Sequence, residues 1–195
     1  GLISNLGIFF WVTIAMKKYG GLSIWTAGSI LLAMILILAL YPAVALWAAA
    51  HLRKRAPYWL VGPLVFTLLE WTRVYLPMGG FPWAAPAYGL AGSLPMIQSA
   101  DLIGTSGINL IVLLTNFAMA ELWVRWRAKR PLPFVPIGIA ASLILLSVIY
   151  GFGRLHSITS KKSHSKKVRI ALLQGNVAEN LKWDSEQRDE ILKNY

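Results

Sequence analysis

Two charged side chains interrupt an otherwise apolar run in the first half of the chain: Glu70 and Arg73, in Glu70-Trp-Thr-Arg73. A carboxylate or guanidinium at mid-bilayer depth costs ~2.5–3.5 kcal/mol or more, so lipid-facing sequence has no use for either. Three residues apart, the two share a helix face and can neutralise each other. Such a pair belongs against a bundle interior or a water-filled cavity. It can lock helix packing or take part in acid–base chemistry, and the residues alone leave both open. Just beyond, the run breaks into a loop carrying Phe81-Pro82-Trp83. Residues 77–100 hold four prolines, four glycines, Phe81, Trp83 and Tyr88, and no charge. An uncharged loop with this composition is expected to be re-entrant or to lie in the membrane interface, where Trp and Tyr are favoured.

Other chemistry is excluded by residue type. The chain has no cysteine, so it holds no disulfide, no thiolate metal site and no cysteine nucleophile. His51 reads as interfacial, and His156 and His164 have no carboxylate or cysteine beside them. No metal site and no cofactor is expected.

The elements that must position Glu70, Arg73 and Trp83 are membrane helices. Of 195 residues, 56% are hydrophobic and only 14% charged, with a mean hydropathy of +0.57. A soluble domain carries about 25% charged residues, and about 20 apolar residues suffice to cross a bilayer. The expected fold class is an α-helical polytopic membrane bundle followed by the start of an α/β domain. Spans are predicted near residues 2–16 (partial), 24–50, 58–76, 102–124 and 134–152. Pro42 is a possible kink of the second. Asp101 is expected to cap the 102–124 helix, Gly104-x-x-Gly107 to let helices approach closely, and Gln98, Asn109 and Asn116 to bond across the bundle.

Residues 154–167 read as a basic linker that closes the membrane domain, residues 1–153. The pattern then changes. Val168-Arg-Ile-Ala-Leu-Leu-Gln174 reads as a buried strand, Gly175-Asn176 as a turn, and residues 184–195 as an amphipathic helix. A lone strand and helix cannot bury a core, so residues 168–195 are expected to open a larger domain. The chain opens on Gly1, with no recognisable signal peptide, and reads as a piece of something longer.

The net charge is +11, gathered in Lys17-Lys18, Arg53-Lys54-Arg55, Arg125 to Arg130 and Lys161 to Arg169. These clusters lie between apolar runs, where they set topology and meet anionic headgroups; no nucleic-acid motif accompanies them. The Arg53–Arg55 and Arg125–Arg130 loops carry seven basic residues, against two in the Lys17-Lys18 turn on the other side. The positive-inside rule then turns the Phe-Pro-Trp loop and the C-terminal segment outward, although the basic residues after 153 pull the other way.

In this order, Glu70-x-x-Arg73, Gly80-Phe81-Pro82-Trp83, Gln98, Gly104-x-x-Gly107 and Asn116 resemble the membrane half of bacterial apolipoprotein N-acyltransferases. Val168-Arg-Ile-Ala-Leu-Leu-Gln-Gly-Asn-Val177 with Leu181-Lys-Trp-Asp184 is similar to the opening of that family's nitrilase-like (αββα) domain. The resemblance covers essentially the whole chain. It implies an inner-membrane, multi-pass enzyme whose C-terminal domain is periplasmic. It also implies a phospholipid acyl donor, a diacylated apolipoprotein acceptor, and a thioester formed on an enzyme cysteine. The family's catalytic Glu, Lys and Cys are then expected beyond Tyr195, no catalytic residue is expected in this chain, and the family's first two membrane helices are expected to lie outside it.

By the same resemblance Trp83 and Trp183 match functional tryptophans. Trp83 with Phe81 and Pro82 would line the path of acyl chains, or Trp83 serves only as an interfacial anchor. Trp183 faces the membrane, or packs in a strand–helix loop. Since the family's acid–base residues lie elsewhere, Glu70 and Arg73 are expected to lock packing. Three other readings stand: a scaffold for a polyprenyl-phosphate glycosyltransferase, a transporter-like domain, and a membrane-anchored amide hydrolase. A transporter would show related halves, and none is found; the hydrolase leaves the Phe-Pro-Trp loop unexplained.

Overall fold

A computed structural model describes residues 1–75, 80–163, 168–172 and 174, and all its regular structure is helical. α1 (Leu2–Phe9) and α2 (Trp11–Lys18) run almost as one, because Phe10 between them keeps helical angles (φ −54°, ψ −31°). α2 carries Lys17 and Lys18 in its last turn, where cations suit the negative end of the helix dipole. α3 (Ile24–Leu52) starts at Ser23, whose hydroxyl accepts from the Thr26 N–H (3.2 Å). It passes through Pro42 without ending.

α4 (Tyr58–Tyr75) follows, and the loop after it contains a 3₁₀ turn (Pro86–Leu90) and the short α5 (Leu94–Ile97). α6 (Ala100–Arg127) and α7 (Phe134–Ser163) complete the described helices. Three stretches are long and apolar enough to cross a membrane: Ile24–Leu52, Ala100–Arg127 and Phe134–Ser160. α4, which carries the charged pair, is 18 residues long and is not among them.

The helices pack in a chain of neighbours, α3 on α4, α4 on α6 and α6 on α7, with α1 and α2 against α3. Phe9, Leu31, Ile35 and Leu38 form a buried cluster between α1 and α3. Outside it, Leu32, Leu36, Leu40, Trp47, Leu145, Leu146, Ile149 and Phe152 are exposed. Long helices that turn large apolar residues outward as well as inward have lipid as their natural solvent. Tyr58 and Phe66 of α4 both lie against Phe117 of α6, and Ala87, beyond the far end of α4, bonds Asn109. α4 and α6 are therefore antiparallel. The basic turns Arg53–Arg55 and Arg125–Arg130 share one end of the bundle, and the 80–97 loop occupies the other.

Close helix contact is made by glycines other than the expected ones. A Cβ on Gly62 would run into the Phe117 ring, and one on Gly151 into the Pro95 carbonyl, so these two let α4 meet α6 and α7 meet α5. Gly104 instead bends α6: its angles (φ 64°, ψ 178°) are not helical, and a Cβ there would touch nothing. Gly107 accommodates the Ile103 side chain beside that bend.

Asp101 does not cap α6, whose N-cap residue is Ser99. Its carboxylate accepts from the Tyr150 hydroxyl (2.9 and 3.0 Å) and from Arg154 Nε (2.9 Å), tying α6 to α7. A cation and a phenol on a neighbouring helix outcompete a backbone cap.

α7 runs through Ser163 rather than stopping near Phe152, so residues 154–163, expected in the linker, are helical. No proline falls in that stretch, and hydroxyls there can bond within the helix, as Thr159 does to the Leu155 carbonyl (2.9 Å). Residues 168–172 and 174 form no strand, and Val168, Ile170 and Leu172 are exposed. A strand needs a neighbouring ladder, and the described residues supply none. The expected turn at 175–176, helix at 184–195 and Trp183 lie outside the described residues.

Candidate functional site

The last turn of α4 carries Glu70 and Arg73 on one face, and Arg73 is buried, only 6% exposed. Arg73 Nη2 lies 2.5 Å from Glu70 Oε2, the ion pair that their spacing allows. Its Nη1 donates to the Trp83 carbonyl (2.9 Å), while the Arg73 carbonyl accepts from the Phe81 N–H (2.7 Å). One residue thus holds the returning loop at two points, by its backbone and by its side chain. The backbone bond also satisfies a carbonyl that the helix end would otherwise leave open. Arg73 Nε is buried with no hydrogen-bond partner among the described residues, as is Thr67 Oγ1 one turn above Glu70.

The chain turns back at Gly80, with φ +86°, where a Cβ would collide with the Val74 carbonyl. Only glycine suits that position. Ala84, just after Trp83, also has a positive φ (59°). This conformation costs an L-residue roughly 1–2 kcal/mol. The 3₁₀ turn that follows is pinned where the Ala87 N–H donates to the Oδ1 of buried Asn109 (2.7 Å).

The loop's aromatic residues part company. Phe81 turns inward, its ring 5.2 Å from that of Phe9 in an edge-to-face contact. Pro82 is exposed. Trp83 is 56% exposed, and its ring lies 5.8 Å from Trp11 of α2. The site is therefore a buried ion pair holding a loop that presents one tryptophan face outward beside a second tryptophan. Among the described residues the site joins one ion pair to one loop, an arrangement that can hold the loop in place and present Trp83.

Glu70, Arg73, Phe81, Pro82 and Trp83 come together as one unit; Trp183 lies outside the described residues. Gln98 bonds the Leu94 carbonyl in its own short helix (3.1 Å) rather than another helix. Asn109, Phe9 and Trp11 join the unit. Asn109 carried a sequence signal, being polar within an apolar helix; Phe9 and Trp11, some 70 residues away in an apolar run, carried none. A second pair, Glu121 with Arg125 (2.7 Å), has the i,i+4 spacing that brings opposite charges together on a helix. Among the described residues no group of three or more His, Cys, Asp or Glu side chains is placed to hold a metal.

Residues 1–118 match the family described as the apolipoprotein N-acyltransferase N-terminal domain. The chain belongs to this family. The matched region contains the whole Glu70–Arg73 clamp, the Phe81–Trp83 loop and Asn109. The chain is also 33% identical over 198 residues to an apolipoprotein N-acyltransferase of Geobacter metallireducens, covering 100% of this chain and 37% of the relative. It is 32% identical to the enzyme so named in Chromobacterium violaceum (100% and 36%), and 28% to that of Photobacterium profundum (100% and 37%). The chain therefore spans little more than a third of the length of these curated relatives. No solved structure matches it.

Proposed function

We propose that this chain is the membrane part of an enzyme that moves an acyl chain from a phospholipid to a lipoprotein. The acceptor is the amino group of the lipid-modified N-terminal cysteine. The observation that carries the reading is the clamped loop. Within the family-matched region, an ion pair holds a loop whose Phe81 packs inward and whose Pro82 and Trp83 are exposed. The reaction then runs through a thioester on a cysteine outside these residues, since the chain has none. Trp83, flanked by Pro82, lines the route of the acyl chain; Phe81 anchors the loop; Glu70 and Arg73 set its position. Trp183 is the candidate that the following segment contributes.

On this reading residues 1–153 are the membrane domain and residues 168–195 open a nitrilase-like domain. α7 carries the chain from one to the other as a helix as far as Ser163. The enzyme sits in the inner membrane. The shared end of the two basic turns lies in the cytoplasm and the clamped loop faces the periplasm, as the excess of basic residues in short loops favours.

The test uses the whole protein that carries these residues. Purified protein is mixed with phospholipid labelled in its acyl chains and with a peptide bearing an N-terminal diacylglyceryl cysteine. Label is expected to reach the peptide amine. Its appearance only as free fatty acid would replace the reading with a lipid hydrolase, and no release at all would refute it.

A further inference from the structure

The far end of the bundle carries a second feature that the reaction does not use. Between α4 and α6 lies a groove of about 390 Å³ lined by Tyr58, Asn116, Phe117, Ala120, Glu121 and Val124. The lining is largely apolar, with Tyr58, Asn116 and Glu121 as its polar members. Glu121 is already bonded to Arg125 Nε (2.7 Å). That bond leaves the two terminal nitrogens of the guanidinium with no hydrogen bond among the described residues. Arg53, Lys54 and Arg55, all exposed, form the turn that leads into Tyr58. Next to the lining residues in sequence thus stand four cations, Arg53, Lys54, Arg55 and Arg125, against one lining carboxylate that Arg125 already pairs.

We propose that this groove holds an anionic phospholipid. Its phosphate meets Arg125 and the Arg53–Arg55 turn, and one acyl chain lies along Phe117, Ala120 and Val124. The charge decides for an anionic headgroup over an ethanolamine one: the carboxylate that would receive an ammonium is occupied, and the remaining excess is positive. Basic pockets between helices at a bundle end bind such lipids. Trp123 and Trp126, both exposed on the same helix turn as Arg125, mark headgroup depth there. The site lies at the opposite end from Trp83, so it is distinct from the proposed acyl route and does not depend on it.

Native mass spectrometry of the whole protein in a neutral detergent tests this, with dioleoyl phosphatidylglycerol and dioleoyl phosphatidylethanolamine supplied equally. The protein is expected to retain the glycerol lipid in preference. Arg125→Gln is expected to cut that retention about fivefold, the worth of one basic residue near a headgroup. Ala120→Trp, which fills the groove and leaves every charge in place, is expected to do the same. Lys17→Gln with Lys18→Gln, at the other end, should leave it unchanged. Equal retention of both lipids would overturn the proposal. So would an equal loss in the Lys17/Lys18 variant, which would mean diffuse attraction, or a lipid-free dimer closed over the groove.

Discussion

Arg73 has three partners, one side chain and two backbone groups of the returning loop. Its guanidinium bridges Glu70 and the Trp83 carbonyl, and its own carbonyl holds Phe81. Arg73→Gln leaves Glu70 partly buried without a cation and removes the side-chain hold on the loop, while the backbone bond to Phe81 stays. Losing one partner of a buried pair costs about 3–5 kcal/mol. Glu70→Gln leaves the more deeply buried guanidinium, which cannot shed its charge, without its anion and falls in the same range, but it keeps the bond to the Trp83 carbonyl. Thermal unfolding in detergent should therefore place Arg73→Gln below Glu70→Gln by the worth of that loop bond, about 1 kcal/mol; equal midpoints would show that the bond contributes nothing. Arg73→Lys should behave like Arg73→Gln at the loop, because a single ammonium cannot span both partners as the planar fork does. The pair itself was legible from its spacing. Its bond to Trp83 was not, because the turn at Gly80 that returns the loop to the helix is a feature of backbone geometry.

The helices show where small residues matter. A sequence reading places close contact at Gly104 and Gly107, small residues three positions apart on one helix. The structure uses Gly104 for a bend and gives the close contacts to Gly62 and Gly151, which have no partner glycine at such spacing. Spacing alone cannot tell a glycine that admits a neighbour from one that takes a positive φ. Gly151 and Gly153 separate the two effects on a single helix. A Cβ at 151 meets the Pro95 backbone carbonyl, while one at 153 meets nothing. Gly151→Ala should prise α5 from α7 and lower the unfolding midpoint by several degrees. Gly153→Ala should leave it unchanged or raise it, since alanine is favoured over glycine within a helix by up to about 1 kcal/mol. The reverse order would show that α5 does not rest on α7. Likewise α7's continuation past Phe152 was hidden by its polar residues, which read as linker although nothing among them ends a helix.

At the scale of the molecule, composition alone was enough to read a membrane-embedded helical bundle, because 14% charge over 195 residues leaves no alternative solvent. The packing order was not legible from composition, since lipid-facing and helix-facing leucines look alike in sequence. In the bundle the two ends differ in kind. One gathers basic turns and a groove suited to an anionic headgroup; the other holds the clamped loop, with the Asp101–Tyr150–Arg154 contact bracing α6 and α7 beside it. A loop that serves lipid transfer rather than anchorage controls the first half-reaction. In the whole protein, the rate at which labelled phospholipid forms a covalent acyl adduct is compared between wild type and Trp83→Ala. A drop of tenfold or more with an unchanged unfolding midpoint is expected; an unaltered rate would make Trp83 an interfacial anchor and contradict the account.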